Sequence, residues 1–187
     1  MGNEIVCTEH LPECVAQLVK QQYENLCNKQ AEALKGCESP IEQMFALGLL
    51  ELGSKFPEVS WSKQDKYEIF GHKYRADFTL EIYDVIYSSN ATSALQPVCD
   101  WVTTLIVECD GLEYHQDGNQ ISHDNNRDID FLMYNGTPTI RFIGYDILTD
   151  YYGCAGRALQ LVTELNNQKR SYFKRIIAGI KNEAAAK

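Results

Sequence analysis

Two acids stand two residues apart at the end of an apolar run, in the stretch LIVECDGLEYH from Leu105 to His115. If the run is a strand, its side chains alternate, so Glu108 and Asp110 share a face while Cys109 points away. Their Cα atoms then lie roughly 6.5–7 Å apart, near enough for both carboxylates to approach one cation. Like charges held this close repel, and each raises the other's affinity for a proton. A bound divalent metal removes that conflict, and oxygen-only donors favour Mg²⁺ or Mn²⁺ over Zn²⁺. Alone, the pair is explained more simply as two solvated acids at a strand end. Asp77, in RADF, adds a third carboxylate on a neighbouring strand. Its simpler explanation is an ion pair with Arg75, two residues earlier on the same strand face.

The other chemically able residues each carry a plain explanation beside a functional one. Glu42 closes the pattern Ser39-Pro40-Ile41-Glu42, a capping box at a helix start. Arg127 offers a planar fork of donors suited to a phosphate. Arg141 lies within a strand and is expected to pair with an acid at the core edge rather than to touch substrate. Lys169, Arg170, Lys174 and Arg175 form a dense basic patch on an amphipathic helix. That patch is either a solvated face or a contact for a nucleic-acid backbone. His115 is a lone loop histidine, for which a structural hydrogen bond is the default. His72 and His123 are expected at the surface. Cys7, His10 and Cys14 share one helical face but lack the paired short spacings of zinc modules, so an ordinary amphipathic helix is favoured.

These residues need elements to position them. Leu11, Val15, Leu18, Tyr23 and Leu26 recur near helical spacing, predicting a helix over about 10–34 that Gly36 ends. A second helix opens at Ser39, and IEQMFALGLLEL is apolar almost all round, which predicts deep burial. YEIF, Gly71-His72 and KYRADFTLEIYDVIY read as a hairpin, with Phe78, Leu80 and Ile82 on one face and Asp77, Thr79 and Glu81 on the other. SSNATSALQP is a polar loop, and the β-branched WVTTLIVECD is a central strand. HDNNRDIDFLMYNG predicts a helix stopped by Gly136, PTIRFIG a further strand, and about 155–181 one or two closing helices.

Composition bounds the answer. The 187 residues suit one domain, 1–182, and 44% hydrophobic content supports a real core. The terminal EAAAK, 183–187, has the form of a helical spacer outside that domain. No apolar run approaches the roughly 20 residues of a membrane span. The N-terminus has neither the basic nor the apolar region of a signal peptide, and Cys7 stands where a myristoylation signal would need Ser or Thr. Seven scattered cysteines without a CxxC pair predict free thiols in a reducing cytoplasmic setting. A net charge of −9 argues against a broad basic surface for nucleic acid but leaves room for a local basic cleft.

Taken in order, Glu42 in SPIEQ, Asp77 in RADF, the ECDG turn with His115, Asp124 and Arg127 in DNNRD, and Arg141 in TIRF form a set. Over about residues 37–150 this set resembles the restriction-endonuclease-like PD-(D/E)XK superfamily. The branch it resembles is that of very-short-patch repair endonucleases and their bacterial and phage relatives. The resemblance implies an α/β fold: a mixed sheet of about four strands flanked by helices in the order αβββαβα, with extra helices at both ends. It implies a Mg²⁺- or Mn²⁺-dependent phosphodiesterase acting on nucleic acid, DNA before RNA. Asp77 and Glu108 would be metal ligands, joined by the backbone carbonyl of Cys109, and Glu42 would lie near the metal. The resemblance departs at Asp110, where many members have a lysine that orients or activates the attacking water. Asp110 as ligand to a second metal, or His115, are the replacements. The alternative expectation is a catalytically inactive binding or scaffolding protein of the same fold, and either version leaves room for a protein partner or homodimer.

Overall fold

The computed structural model describes residues 12–87, 97–111 and 118–185. Two compact units divide the chain at Lys35. The first contains a single described helix, α1 (Glu13–Leu34). Gly36, at φ +86°, follows it in the left-handed conformation that commonly ends helices. The anticipated Cys7–His10–Cys14 helical face begins outside the described residues.

The second unit runs α2 (Pro40–Leu52), β1 (Ser60–Ile69), β2 (His72–Tyr87), β3 (Pro97–Asp110), α3 (Gly118–Asn135), β4 (Thr139–Ile143) and α4 (Gly144–Ala185). It is an α/β fold with one four-stranded mixed sheet, ordered β1-β2-β3-β4. The first three strands pair antiparallel; β4 joins β3 in parallel through the α3 crossover. β3 is therefore central, as its β-branched composition predicts.

Helices cover both faces. On one, Phe45 and Leu49 of α2 meet Phe78 and Leu80 of β2 and Leu159 and Val162 of α4 in the main core. On the other, a smaller cluster joins Ile69, Tyr74, Ala76 and Ile106 to Phe131 of α3. The apolar α2 is buried as expected, and Gly48 shows how closely. A Cβ there would lie 2.8 Å from the Ala155 Cβ and 2.9 Å from the Tyr151 carbonyl oxygen. Only a residue without a side chain lets α2 and α4 approach this far.

The sequence pattern places the closing helix late and β1 short. β1 begins at Ser60, seven residues before the YEIF segment, because its polar residues gain ladder bonds to β2 that no hydrophobic pattern announces. α4 begins at Gly144 and breaks at Asp150, where φ is −150° and ψ 65°, so the anticipated 155–181 stretch lies wholly in the helical run after the kink and a short run precedes it. Among the described residues no helix is long and apolar enough to cross a membrane. The six cysteines among them are free thiols.

Candidate functional site

The acids gather where the sheet forks. The β2–β3 ladder ends at Phe78–Val107, whereas the β3–β4 ladder continues to Asp110–Ile143. Beyond Phe78, β2 leaves β3 and keeps only β1 as its partner. The fork frees the Cys109 N–H from the sheet, and the Asp77 carboxylate accepts it through Oδ2 at 2.8 Å. Here also β2 passes from one core to the other: Phe78 and Leu80 belong to the main cluster, Tyr74 and Ala76 to the smaller one. Gln64, which stands opposite Asp77 in the gap of the β1–β2 register, has φ +57°, uncommon for a residue with a side chain. Strain of this kind concentrates where a site overrides local preference.

The fork opens into a cavity of about 410 Å³ whose walls include Glu42, Asp77, Glu108, Asp110, Asp124 and Arg127. Ser39 caps α2 by accepting from the Glu42 N–H at 3.2 Å, and its hydroxyl donates to Glu42 Oε1 at 2.9 Å. The other oxygen, Oε2, accepts from the Glu38 N–H at 2.8 Å and from Gln64 Nε2 at 2.9 Å. Glu42 therefore caps the helix and lines the cavity at once.

Glu108 is the outlier. It is 5% exposed, and its Oε1 is buried without a hydrogen-bond partner. Its other oxygen lies 3.3 Å from the Arg127 guanidinium. Burial pushes its carboxyl up to about 8; Arg127 opposes that rise, and the nearby Asp77 adds to it. Burial likewise raises Asp77, partly offset by the Cys109 N–H. The Cys109 thiol is buried and pushed far above its ordinary range, by burial first and then by the nearby carboxylates.

Two arginines lace the acids together. Arg127 also reaches Asp124 at 3.4 Å, and its Nε is buried without a partner. Arg141 forks onto Asp128, donating from its terminal nitrogen at 2.8 Å and from Nε at 3.3 Å, and its second terminal nitrogen reaches Asp110 at 3.4 Å. Arg141 thus pairs with acids, as its strand position predicts. Arg75 does not pair with Asp77. It forms a two-pronged bond with Glu38, both contacts at 2.7 Å, because the fork directs Asp77 to the Cys109 amide instead.

The side-chain donors are of the kind a hard divalent cation takes: five of the lining residues named above are Asp or Glu, and one Glu108 oxygen is buried without a partner. Among the described residues, however, no three His, Cys, Asp or Glu side chains are grouped so that they could hold a metal ion as they stand. Arg127 and Arg141 hold two of the three carboxylates on which such a site would depend.

The remaining sequence candidates lie elsewhere. Lys169 donates to the Val102 carbonyl at 3.3 Å, and Arg170 lies 3.3 Å from Asp84. Asp84 is seven residues along β2 from Asp77, about 23 Å at strand spacing. These two cations brace the opposite end of the sheet, while Lys174 and Arg175 are exposed. His115 lies outside the described residues, and His72 is exposed as expected. Sequence reasoning missed Gln64 and Asp128. The i,i+4 spacing of Asp124 and Asp128 on α3 was the available signal for the second. No protein-family model matches the chain, and no curated protein or solved structure matches it significantly.

Proposed function

We propose that this chain is a restriction-endonuclease-like, Mg²⁺- or Mn²⁺-dependent phosphodiesterase that hydrolyses nucleic acid, with DNA the favoured substrate. The observation carrying the reading is Glu108: an almost fully buried carboxylate with one oxygen unpartnered, facing a cavity shared with Asp77 and Asp110. A carboxyl lifted to about 8 is costly to ionise in place, and a cation is what makes ionisation favourable. Asp77, Glu108 and Asp110 would hold the metal, with the Cys109 carbonyl beside them. When bound, it would lower the pKa of a water and neutralise charge building on the phosphate.

The chain's own residues supply the rest. The Cys109 N–H holds Asp77 with an oxygen turned to the cavity, and the α2 cap fixes Glu42 on the opposite wall. Arg127 is the cation nearest Glu108, and its planar donors fit two phosphate oxygens as well as two carboxylates. Asp110 stands where related enzymes would carry lysine, so water activation would fall to a metal-bound acid or to His115.

The second reading is a non-catalytic nucleic-acid or protein-binding module of the same fold. The arginine lattice across the carboxylates favours it. Cleavage of plasmid and oligonucleotide substrates with and without Mn²⁺ separates the two. Metal-dependent cleavage should fall more than about 100-fold in Asp77→Asn and Glu108→Gln with the circular dichroism spectrum unchanged. Full activity in either folded variant would refute the assignment of these carboxylates, and absence of cleavage by wild type would favour the binding module.

A further inference from the structure

Beside the acidic cavity, the β1–β2 hairpin carries a groove of about 490 Å³ with the opposite charge. Its walls are Lys66, Tyr67 and Glu68 of β1 and Lys73, Tyr74 and Arg75 of β2. Three of these six residues are cationic in a chain whose net charge is −9. Lys66 stands directly across the ladder from Arg75, and Glu68 across from Lys73. A like-charged cross-strand pair is destabilising, so the Lys66–Arg75 placement has no reason in stability. Glu38 compensates Arg75 from outside the ladder; Lys66 and Lys73 are exposed.

The groove walls are firm. The Tyr74 hydroxyl donates to Asp130 at 2.5 Å, the Tyr67 and Thr79 hydroxyls lie 2.8 Å apart, and both rings pack on Phe131. At the hairpin tip Phe70 is 63% exposed and meets the exposed Tyr134 edge-on. Exposed aromatic rings near cations are the composition of surfaces that hold nucleic-acid strands.

Position makes the groove relevant. Arg75 lines both cavities. Along β2, Arg75 and Lys73 lie about 7 and 13 Å from Asp77. A polymer with one phosphate at the acids must continue past them, and a nucleic-acid strand presents a charge about every 3.4 Å of its axis. An acidic pocket repels such a strand, and a cationic ledge on its rim offsets that repulsion.

We propose that Lys66, Lys73 and Arg75 form the ledge that binds the phosphodiester backbone of the nucleic acid leading into the acidic cavity, in place of the basic patch on α4. The proposal rests on the phosphodiesterase reading for its ligand class but not for its chemistry. Fluorescence anisotropy with labelled single-stranded and duplex oligonucleotides in Ca²⁺ buffer tests it on the full chain. Lys66→Glu/Lys73→Glu should weaken binding about tenfold or more. The slope of log affinity against log salt should become shallower by about 1.4 for the single strand, two contacts at about 0.7 each. Lys66→Gln/Lys73→Gln, which adds no new charge, should give a smaller loss of the same kind, with melting temperature confirming the fold. Lys174→Glu/Arg175→Glu should change affinity less than about twofold.

Wild-type affinity in the hairpin variants, an equal loss in the α4 variant, or no binding of either probe by wild type would overturn the ledge. Cleavage measured alongside keeps the two ideas apart. A chain that cleaves nothing yet loses binding in the hairpin variants keeps the ledge and loses the enzyme. A chain that cleaves and binds normally in those variants keeps the enzyme and loses the ledge.

Discussion

The β2–β3 pair carries a polar cluster at each end, and the two obey opposite rules. At the far end, buried Asn166 of α4 accepts from the Trp101 indole N–H at 2.8 Å and from the Thr103 hydroxyl at 2.9 Å. Its amide donates to Asp84 at 2.9 Å, and Asp84 in turn meets Arg170. None of these side chains has a buried polar atom left without a partner. At the fork, Glu108 Oε1 and Arg127 Nε are both buried and unpartnered, and both Glu108 and Asp77 are lifted above their ordinary range. A closed network rigidifies a fold. An open one leaves the desolvation cost of its buried polar atoms unrepaid within the chain.

The largest test of that contrast is mutational. Asn166→Leu strands the Trp101 and Thr103 donors and Asp84 in an apolar setting. It should cost about 3 kcal/mol, lowering the melting temperature by about 6–12 °C. Glu108→Gln removes a charge that burial disfavours, and in metal-free buffer at mildly alkaline pH it should be neutral or stabilising. Thermal melts of the two variants side by side decide it; a Glu108→Gln loss as large as that of Asn166→Leu would erase the contrast.

A bound cation should act at one end alone. Mn²⁺ at about 100 times its dissociation constant should stabilise the wild type by about 2.7 kcal/mol. Asn166→Leu should keep that increment and Glu108→Ala should lose it. Calorimetric titration of all three proteins is the direct check, and identical Mn²⁺ binding in wild type and Glu108→Ala would remove the proposed site.

The last test is the pH dependence of stability. Glu108 has a folded-state value of about 8 against an ordinary 4.5, so between those limits the folded chain holds a proton the unfolded chain has released. Stability from this group is complete at or below about pH 4.5 and is lost as pH rises toward about 8. Asp77 contributes in the same direction at its lower end. Metal-free melting temperatures should therefore fall across that window, and Glu108→Gln should flatten the curve. An equal slope in wild type and variant would show that Glu108 ionises as an ordinary carboxylate.

Much of this arrangement is legible in local pattern. Ser39-Pro40 opens α2 and Gly36 and Gly136 close helices because caps depend on the few residues around them. The apolar run before Glu108 announces a buried strand, and residue spacing places Glu108 and Asp110 at its end. Three acids on two neighbouring strands follow from that reading alone. The place of the basic patch is not legible, for an equally physical reason: composition records that Lys169 and Arg170 are cations, but nothing in a helix's own sequence says which end of a sheet it will cross.

Sequence by itself determined the order of elements, the apolar faces that make the core, and the carboxylates available for chemistry, because these depend on residue type and short-range periodicity. Tertiary structure alone decided their partners. The fork between β2 and β3 sends Asp77 to the Cys109 amide rather than to Arg75, and α3 delivers Arg127 to Glu108. The same packing buries one Glu108 oxygen without a hydrogen-bond partner from the chain, and turns Lys66 and Lys73 into the rim of the acidic cavity's neighbour. Charge and burial act through space, and distance through space is set by the packing of elements far apart in the chain.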